Sequence, residues 1–393
     1  MDVQEREKRV IMQTYARYDL TLVKGKGAKV WDDKGREYLD FVSGIAVCNL
    51  GHCHEAVTKA VCEQAGTLVH VSNLYFTQPQ VELAELLTAN CFADRVFFSN
   101  SGAEANEGAI KLARKYSQLT YGEGRYKIIS TEKSFHGRTM ATLTATGQDK
   151  VKVGFQPLLE GFSMVPFNDI KAAESAMDGT VCAFLVEPIQ GEGGVNLPAD
   201  GYLRELKDLC RGKEVLLIFD EVQVGMGRTG KLFAHQNYGV EPDIMTLAKA
   251  IANGLPMGAV LAREEVAAAF GAGSHATTFG GTPLVSAAGV AVMKELLDGG
   301  ILDNCTKMGS RLEAGLNRIK KDRSDVTNVR GIGLIWAMEL DHDAAKTVNS
   351  AQELGLLINR VQEKTLRFVP PLTITATEID AMLTMLEEAL KKS

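Results

Sequence analysis

Val215-Leu216-Leu217-Ile218-Phe219-Asp220-Glu221 is an apolar run of strand length that ends on two carboxylates. Branched and aromatic side chains without polar alternation fit a strand covered on both faces, as in a parallel sheet. A carboxylate buried at the end of such a strand is costly unless a cation holds it. That cation is either an arginine of the protein or a protonated ligand atom such as a pyridine ring nitrogen. The run alone leaves both open.

Outward from this run the same pattern recurs. Arg95–Ser99, Lys127–Ser130 and Val181–Val186 read as strands, and Ile244–Leu247 and Ala259–Ala262 as shorter ones. Val81–Thr88 and Ala103–Tyr116 read as helices between them. Strands alternating with helices predict an α/β fold, a mostly parallel sheet with helices on both faces. Ligands of such sheets sit beyond the carboxyl ends of the strands. Upstream, Ala28–Phe41 carries an Asp33-Lys34-Gly35 turn between β-prone residues and predicts a hairpin. Residues 1–20 read as a helix. After about Pro283 come long helices, a Gly331–Trp336 strand and a final helix. They predict a second, smaller α+β domain that shares its sheet with the hairpin. The expected division is a large domain over 51–282 and a small one from 1–50 with 283–393.

Three strand ends carry chemistry that packing alone does not require. Asp220 closes the first. Ser99-Asn100-Ser101-Gly102-Ala103-Glu104 is the second, a small-residue turn that opens a helix. Free N–H groups at a helix start form an anion site, and Gly102 would let a phosphate approach. Ser101 is equally readable as a plain helix cap. At the third, Thr246-Leu247-Ala248-Lys249-Ala250 delivers a lysine into apolar, small surroundings. Desolvation lowers an amine's pKa and makes it a competent Schiff-base nucleophile, although any single lysine is more often just exposed. Gly225-Met226-Gly227-Arg228-Thr229-Gly230 satisfies G-x-G-x-x-G, but it neither follows a strand directly nor opens a convincing helix. A dinucleotide site is therefore not expected.

A formal net charge of -6, with acidic and basic residues interspersed, excludes a nucleic-acid footprint. No apolar run is long enough to span a bilayer, so no membrane partner is expected. The charged start Met1–Arg9 does not read as a signal peptide. Seven cysteines, an odd number without framework spacing, predict a reducing compartment, hence the cytoplasm. Cys48, His52, Cys53 and His54 are crowded too closely to converge on one zinc, and no metal is expected.

In order along the chain these stretches resemble the class III aminotransferases of fold type I, and most closely the acetylornithine aminotransferases. The resemblance runs from Trp31 to Arg367-Phe368-Val369-Pro370-Pro371-Leu372. Its most specific parts are Ser101–Ala105, Ser134-Phe135-His136-Gly137-Arg138-Thr139, Val186–Gly194, Phe219–Gln223, Thr246–Lys249 and Thr277–Gly281. It implies pyridoxal 5'-phosphate held as a Schiff base on Lys249, which later shuttles the proton, with Asp220 on the pyridinium nitrogen. Ser101, Gly102 and Ala103 would hold the phosphate. Phe135 would stack on the ring, Gln223 would reach its phenolic oxygen side, and Glu221 and Val222 belong to the same cofactor-binding run. Thr278 would donate to the phosphate of a neighbouring subunit, so the resemblance implies a homodimer with shared active sites.

The same resemblance makes Arg138 the clamp for the substrate α-carboxylate and Thr277 a second substrate contact. Glu187 and Arg367 would form a pair that opens for the α-carboxylate of glutamate or 2-oxoglutarate. The implied reaction moves the terminal amine of N-acetylornithine to 2-oxoglutarate. Aminotransferases of succinylornithine, ornithine, N-succinyl-diaminopimelate or 4-aminobutyrate share this machinery. A racemase, a decarboxylase or a cofactor-binding protein without turnover could stand on the same fold. Glu55, Val224, Asn253 and Thr282 depart from the family's usual residues.

Overall fold

The computed structural model describes residues 2–392. Near the N-terminus, β1 (Leu22–Lys26), β2 (Lys29–Asp32) and β3 (Glu37–Asp40) form an antiparallel ladder. The middle of the chain supplies β4 (Arg95–Ser99), β5 (Lys127–Thr131), β6 (Phe162–Val165), β7 (Val181–Val186), β8 (Leu216–Asp220), β9 (Ile244–Leu247) and β10 (Gly258–Ala262). They pair in the order β4-β10-β9-β8-β7-β5-β6. Every neighbouring pair is parallel except those of β10, which runs antiparallel to both β4 and β9.

The period of two sorts β8 between the sheet's faces. Leu216 and Ile218 pack with Ala105, Ala109, Leu112 and Ala113 of the helix Gly102–Tyr121. Leu217 and Phe219 pack on the other face with Leu203, Leu206 and Cys210 of the helix Tyr202–Gly212. That second helix buries Tyr202, Leu203, Leu206 and Cys210, a stripe at helical spacing. Asp220 falls in step with Leu216 and Ile218, toward the helix that starts at Gly102. Glu221 falls on the opposite side.

The C-terminal part adds β11 (Val326–Ile332), β12 (Ile335–Leu340), β13 (Leu356–Leu357), β14 (Asn359–Gln362) and β15 (Thr365–Phe368). β13 runs parallel to β3, so the N-terminal ladder does share a sheet with the end of the chain. Gly331–Trp336 is not that strand: Gly333 and Leu334 turn between β11 and β12 of a separate antiparallel sheet, β11-β12-β15-β14. Gly333 adopts φ +55°, and a Cβ there would meet the backbone of Arg228 and Thr229 within 2.7 Å. The helix Pro283–Asp298 packs on the helices Glu55–Ala65 and Gln78–Thr88. One apolar cluster therefore joins Leu83 and Leu87 to Leu312, Leu316 and Leu386, across the expected domain boundary.

The expected helix over 1–20 is shorter. Val3–Val10 is helical, capped by Asp2, whose carboxylate accepts from Glu5 N. No residue of it is buried, so nothing offsets the cost of extending an isolated helix into 11–20. Met1 lies outside the described residues. Asn253, one of the departures, caps the turn after Lys249 in a left-handed conformation. Its amide binds Leu50 N and Gly51 O at 2.9 and 3.1 Å.

Candidate active site

A cavity of about 420 Å³ opens at the carboxyl ends of β7, β8 and β9, within the roughly 300–1,000 Å³ usual for small-molecule sites. Its wall includes Gly102, Ala103, Phe135, Arg138, Glu187, Glu192, Asp220, Val222, Gln223 and Lys249. Two hollows of about 690 and 620 Å³ lie elsewhere on the chain. Size does not single out the site. The convergence of an amine, buried carboxylates and an arginine does.

Lys249 leaves β9 through Ala248 and sits at φ +48°, a left-handed conformation that costs a non-glycine residue of the order of 1 kcal/mol. The turn is closed by Ile251 N on Ala248 O and Asn253 N on Ala250 O, both 3.1 Å. The amine has no hydrogen-bond or ion-pair partner among the described residues. Burial lowers its pKa, Glu192 and Asp220 oppose that, and Arg367 adds to it. An unpaired, desolvated amine is the form that condenses with an aldehyde.

Asp220 is held by three donors. Asn106 Nδ2 and His136 Nδ1 donate to Oδ2 at 2.7 and 2.8 Å, and Val222 N donates to Oδ1 at 3.0 Å. None of the three is an arginine or lysine. The charge of this buried carboxylate is thus left for something in the cavity. Glu221 is not on the cavity wall. It accepts from Ala234 N, His235 N and His235 Nδ1 on the sheet's other side, as the alternation of β8 dictates. Its expected place in the cofactor site is corrected accordingly.

Ser101 caps the helix Gly102–Tyr121, its Oγ accepting from Glu104 N at 3.2 Å. The N–H groups of Gly102 and Ala103 have no acceptor among the described residues, so the anion site at this helix start is free. Gly102 also serves an approach within the chain. A Cβ there would lie 2.7 Å from Val222 Cγ1, so glycine lets Val222 close over the turn. Phe135 lines the cavity, with the exposed Arg138 guanidinium 5.6 Å from its ring centroid. Thr277 faces away: its Oγ1 accepts from Asn100 Nδ2 at 3.0 Å, and it borders the neighbouring hollow. Thr278 and Phe279 are exposed, outside this chain's own cavity.

The expected pairing of Glu187 with Arg367 is replaced by another. Glu187 accepts from Phe135 N at 2.8 Å and Gly191 N at 3.0 Å, which pins both loops beside the strand end. Burial pushes its carboxyl up to about 7. Arg367 Nη1 instead donates to Glu192 Oε1 at 2.5 Å and Gln223 Oε1 at 2.9 Å. Gln223 Nε2 donates to Glu192 at 3.0 Å, so its amide is committed to this pair. Burial alone would raise the Glu192 carboxyl, but Arg367, Lys249 and these hydrogen bonds outweigh it and hold it at about 2. Arg367 Nη2 is buried without a partner, an open donor beside the ion pair. Glu192, His136 and Asn106 were not singled out in the sequence. The signal available for Glu192 was a second carboxylate within the glycine-rich Gln190–Gly194 stretch.

The donors present fit pyridoxal phosphate. Two free N–H groups await a phosphate, a buried carboxylate lacks a cation, and an unpaired amine faces the same space. The chain is similar throughout to proteins of one kind. It is 52% identical over 98% of its length, and 98% of the relative's, to the acetylornithine aminotransferase of Caldanaerobacter subterraneus subsp. tengcongensis. It is 50% identical to that of Methanothermobacter thermautotrophicus, over 98% of this chain and 97% of that one. Among solved structures, the ornithine aminotransferase of Toxoplasma gondii superposes with a TM-score of 0.96 at 35% identity, covering 99% and 94% of the two chains. The family model described as aminotransferase class-III matches residues 11–390. From its sheet order to its buried lysine, the chain belongs to the class-III aminotransferases, enzymes that work with pyridoxal phosphate.

Proposed function

We propose that the protein transfers the terminal amino group of N2-acetyl-L-ornithine to 2-oxoglutarate, giving N-acetyl-L-glutamate 5-semialdehyde and glutamate, in cytoplasmic arginine biosynthesis. The observation that carries this reading is the Glu192–Arg367 pair beside Lys249. One site must accept a donor whose reacting end bears no carboxylate, and then an acceptor whose reacting carbon adjoins one. With the pair closed, Arg367 is neutralised and the cavity floor suits the uncharged surroundings of a terminal amine. With it open, Arg367 offers Nη1 and the unpartnered Nη2 to an α-carboxylate as a planar fork. Arg138 at the mouth suits the carboxylate at the substrate's far end. The names of relatives 44–52% identical support N-acetylornithine as the donor.

When bound, pyridoxal phosphate supplies an electron sink for the carbanion left by deprotonation. The chain's own residues do the rest. Gly102 and Ala103 N–H would anchor the phosphate, Asp220 would hold a proton at the ring nitrogen, and Phe135 would cover the ring. Val222 packs against the same turn. Lys249 moves the proton at the reacting carbon. Burial lowers its pKa, which favours the free amine that serves as base.

We further infer a homodimer with shared sites. Thr278 is exposed beside Phe279, and Leu74, Tyr75 and Phe76 add apolar surface that a monomer rarely leaves uncovered. Among the described residues no helix is long and apolar enough to cross a membrane. The division into 51–282 and 1–50 with 283–393 is kept as part of this reading. Steady-state kcat/KM with a panel of ω-amino donors tests the substrate. N-acetylornithine should lead. A preference for unacylated ornithine, the substrate in the name of the Toxoplasma structure, or for 4-aminobutyrate would overturn the assignment.

A further inference from the structure

His136 is 2% exposed and its imidazole is turned to the back of Asp220. Because the carboxylate can only accept, Nδ1 carries the proton of that 2.8 Å bond. Nε2 is buried with no partner. Around the imidazole the network is closed. Asn106 Nδ2 donates to both Asp220 Oδ2 and His136 O, and Thr246 Oγ1 donates to Asn106 Oδ1, which fixes the amide's orientation. His136 N donates to Thr146 Oγ1 at 2.9 Å. The other ionisable groups of this corner are Glu187 and Lys249.

Two donors fill Asp220 Oδ2, one occupies Oδ1, and the remaining position on Oδ1 is left for the cavity. We propose that His136 is a positioning residue for the cofactor. Donating from Nδ1, it locks Oδ2 and leaves Oδ1 turned toward the ring nitrogen. The proposal rests on the assignment of the ring nitrogen to Asp220, and its test separates the two.

The dissociation constants of pyridoxal phosphate and of its analogue with carbon in place of the ring nitrogen are measured on apoprotein, for wild type and four variants. His136→Phe removes the donor and keeps a ring. His136→Asn keeps a donor at the place of Nδ1. Asp220→Asn and Asp220→Ala remove the charge. His136→Phe should weaken pyridoxal phosphate by about 10- to 100-fold, as expected for losing a hydrogen bond to a charged group, and leave the analogue nearly unchanged. His136→Asn should restore most of the loss, and kcat should fall in the phenylalanine variant with little change in donor KM. Equal weakening of both ligands, or failure of asparagine to rescue, would mean a merely structural histidine and would overturn the proposal. If both Asp220 variants keep the wild-type preference for pyridoxal phosphate, the nitrogen is not at Asp220, and both ideas fall.

Discussion

Replacing Glu192 by glutamine removes the charge that faces Arg367 but keeps an oxygen within its reach. The Glu192 carboxyl, ordinarily near 4.5, is held at about 2, a gap worth roughly 3 kcal/mol in favour of the ionised form. Lys249 and Gln223 contribute part of it, and the Glu192 side chain is 26% exposed, so about 2 kcal/mol is a fair share for the Arg367 pair after solvent screening. An incoming α-carboxylate must displace this pair. In the glutamine variant, glutamate and 2-oxoglutarate should therefore bind about 30-fold more tightly. N-acetylornithine, which needs Arg367 neutralised, should lose kcat/KM. The sign with pH is fixed by the depressed carboxyl. The pair contributes in full above the ordinary value and is lost only as pH falls toward 2, so the effect should be constant from neutral to mildly alkaline pH. Single half-reactions with each amino donor, followed by absorbance, provide the assay. An unchanged half-saturation for glutamate would refute the reasoning.

Glu187→Gln should behave differently. It sets an NH₂ group against Phe135 N or Gly191 N, costing about 1–3 kcal/mol. A thermal melt should show a lower Tm while half-saturation by glutamate stays put; an altered glutamate response with an unchanged melt would return Glu187 to the switching role. Burial lowers the Lys249 amine, so the rate of cofactor capture by apoprotein should rise with pH and level off below 10.5, the ordinary lysine value. A plateau only above it contradicts a desolvated amine. Gly102→Ala puts a Cβ 2.7 Å from Val222 Cγ1. Forced apart, the phosphate turn should hold pyridoxal phosphate about tenfold less tightly, a loss near 1.4 kcal/mol, as equilibrium dialysis can measure. Unchanged affinity would show that the turn adapts.

Much of this architecture was legible because it depends on local pattern. Apolar runs such as Val181–Val186, short and rich in branched and aromatic residues, fit strands buried on both faces, and the polar residue after each run marks the ligand end of the sheet. The failures share one cause, chain paths set by distant partners. Glu187 precedes Pro188 and Glu192 precedes Gly193 and Gly194 in one short stretch, and which carboxylate meets Arg367 depends on how Gly194 and Val195, at φ +119° and +55°, fold the loop back. Arg330 helps hold that loop from the C-terminal sheet by binding Gly194 O. Glu221 was legible after all, because the alternation of β8 sends neighbours to opposite faces. Gly331–Trp336 has strand composition, but the close approach of Arg228 and Thr229 makes its middle a turn. The imidazole behind Asp220 was out of reach, since it needs His136, Asn106 and Thr246 brought together from separate elements.

The amine that carries the cofactor can be identified directly. Protein purified with pyridoxal phosphate can be reduced with borohydride, digested, and the labelled peptide sequenced by mass spectrometry. A single phosphopyridoxyl group on Lys249, absent from Lys249→Ala protein that still retains the cofactor noncovalently, is the predicted result. Label on any other lysine, or none on wild-type protein saturated with the aldehyde, would contradict it.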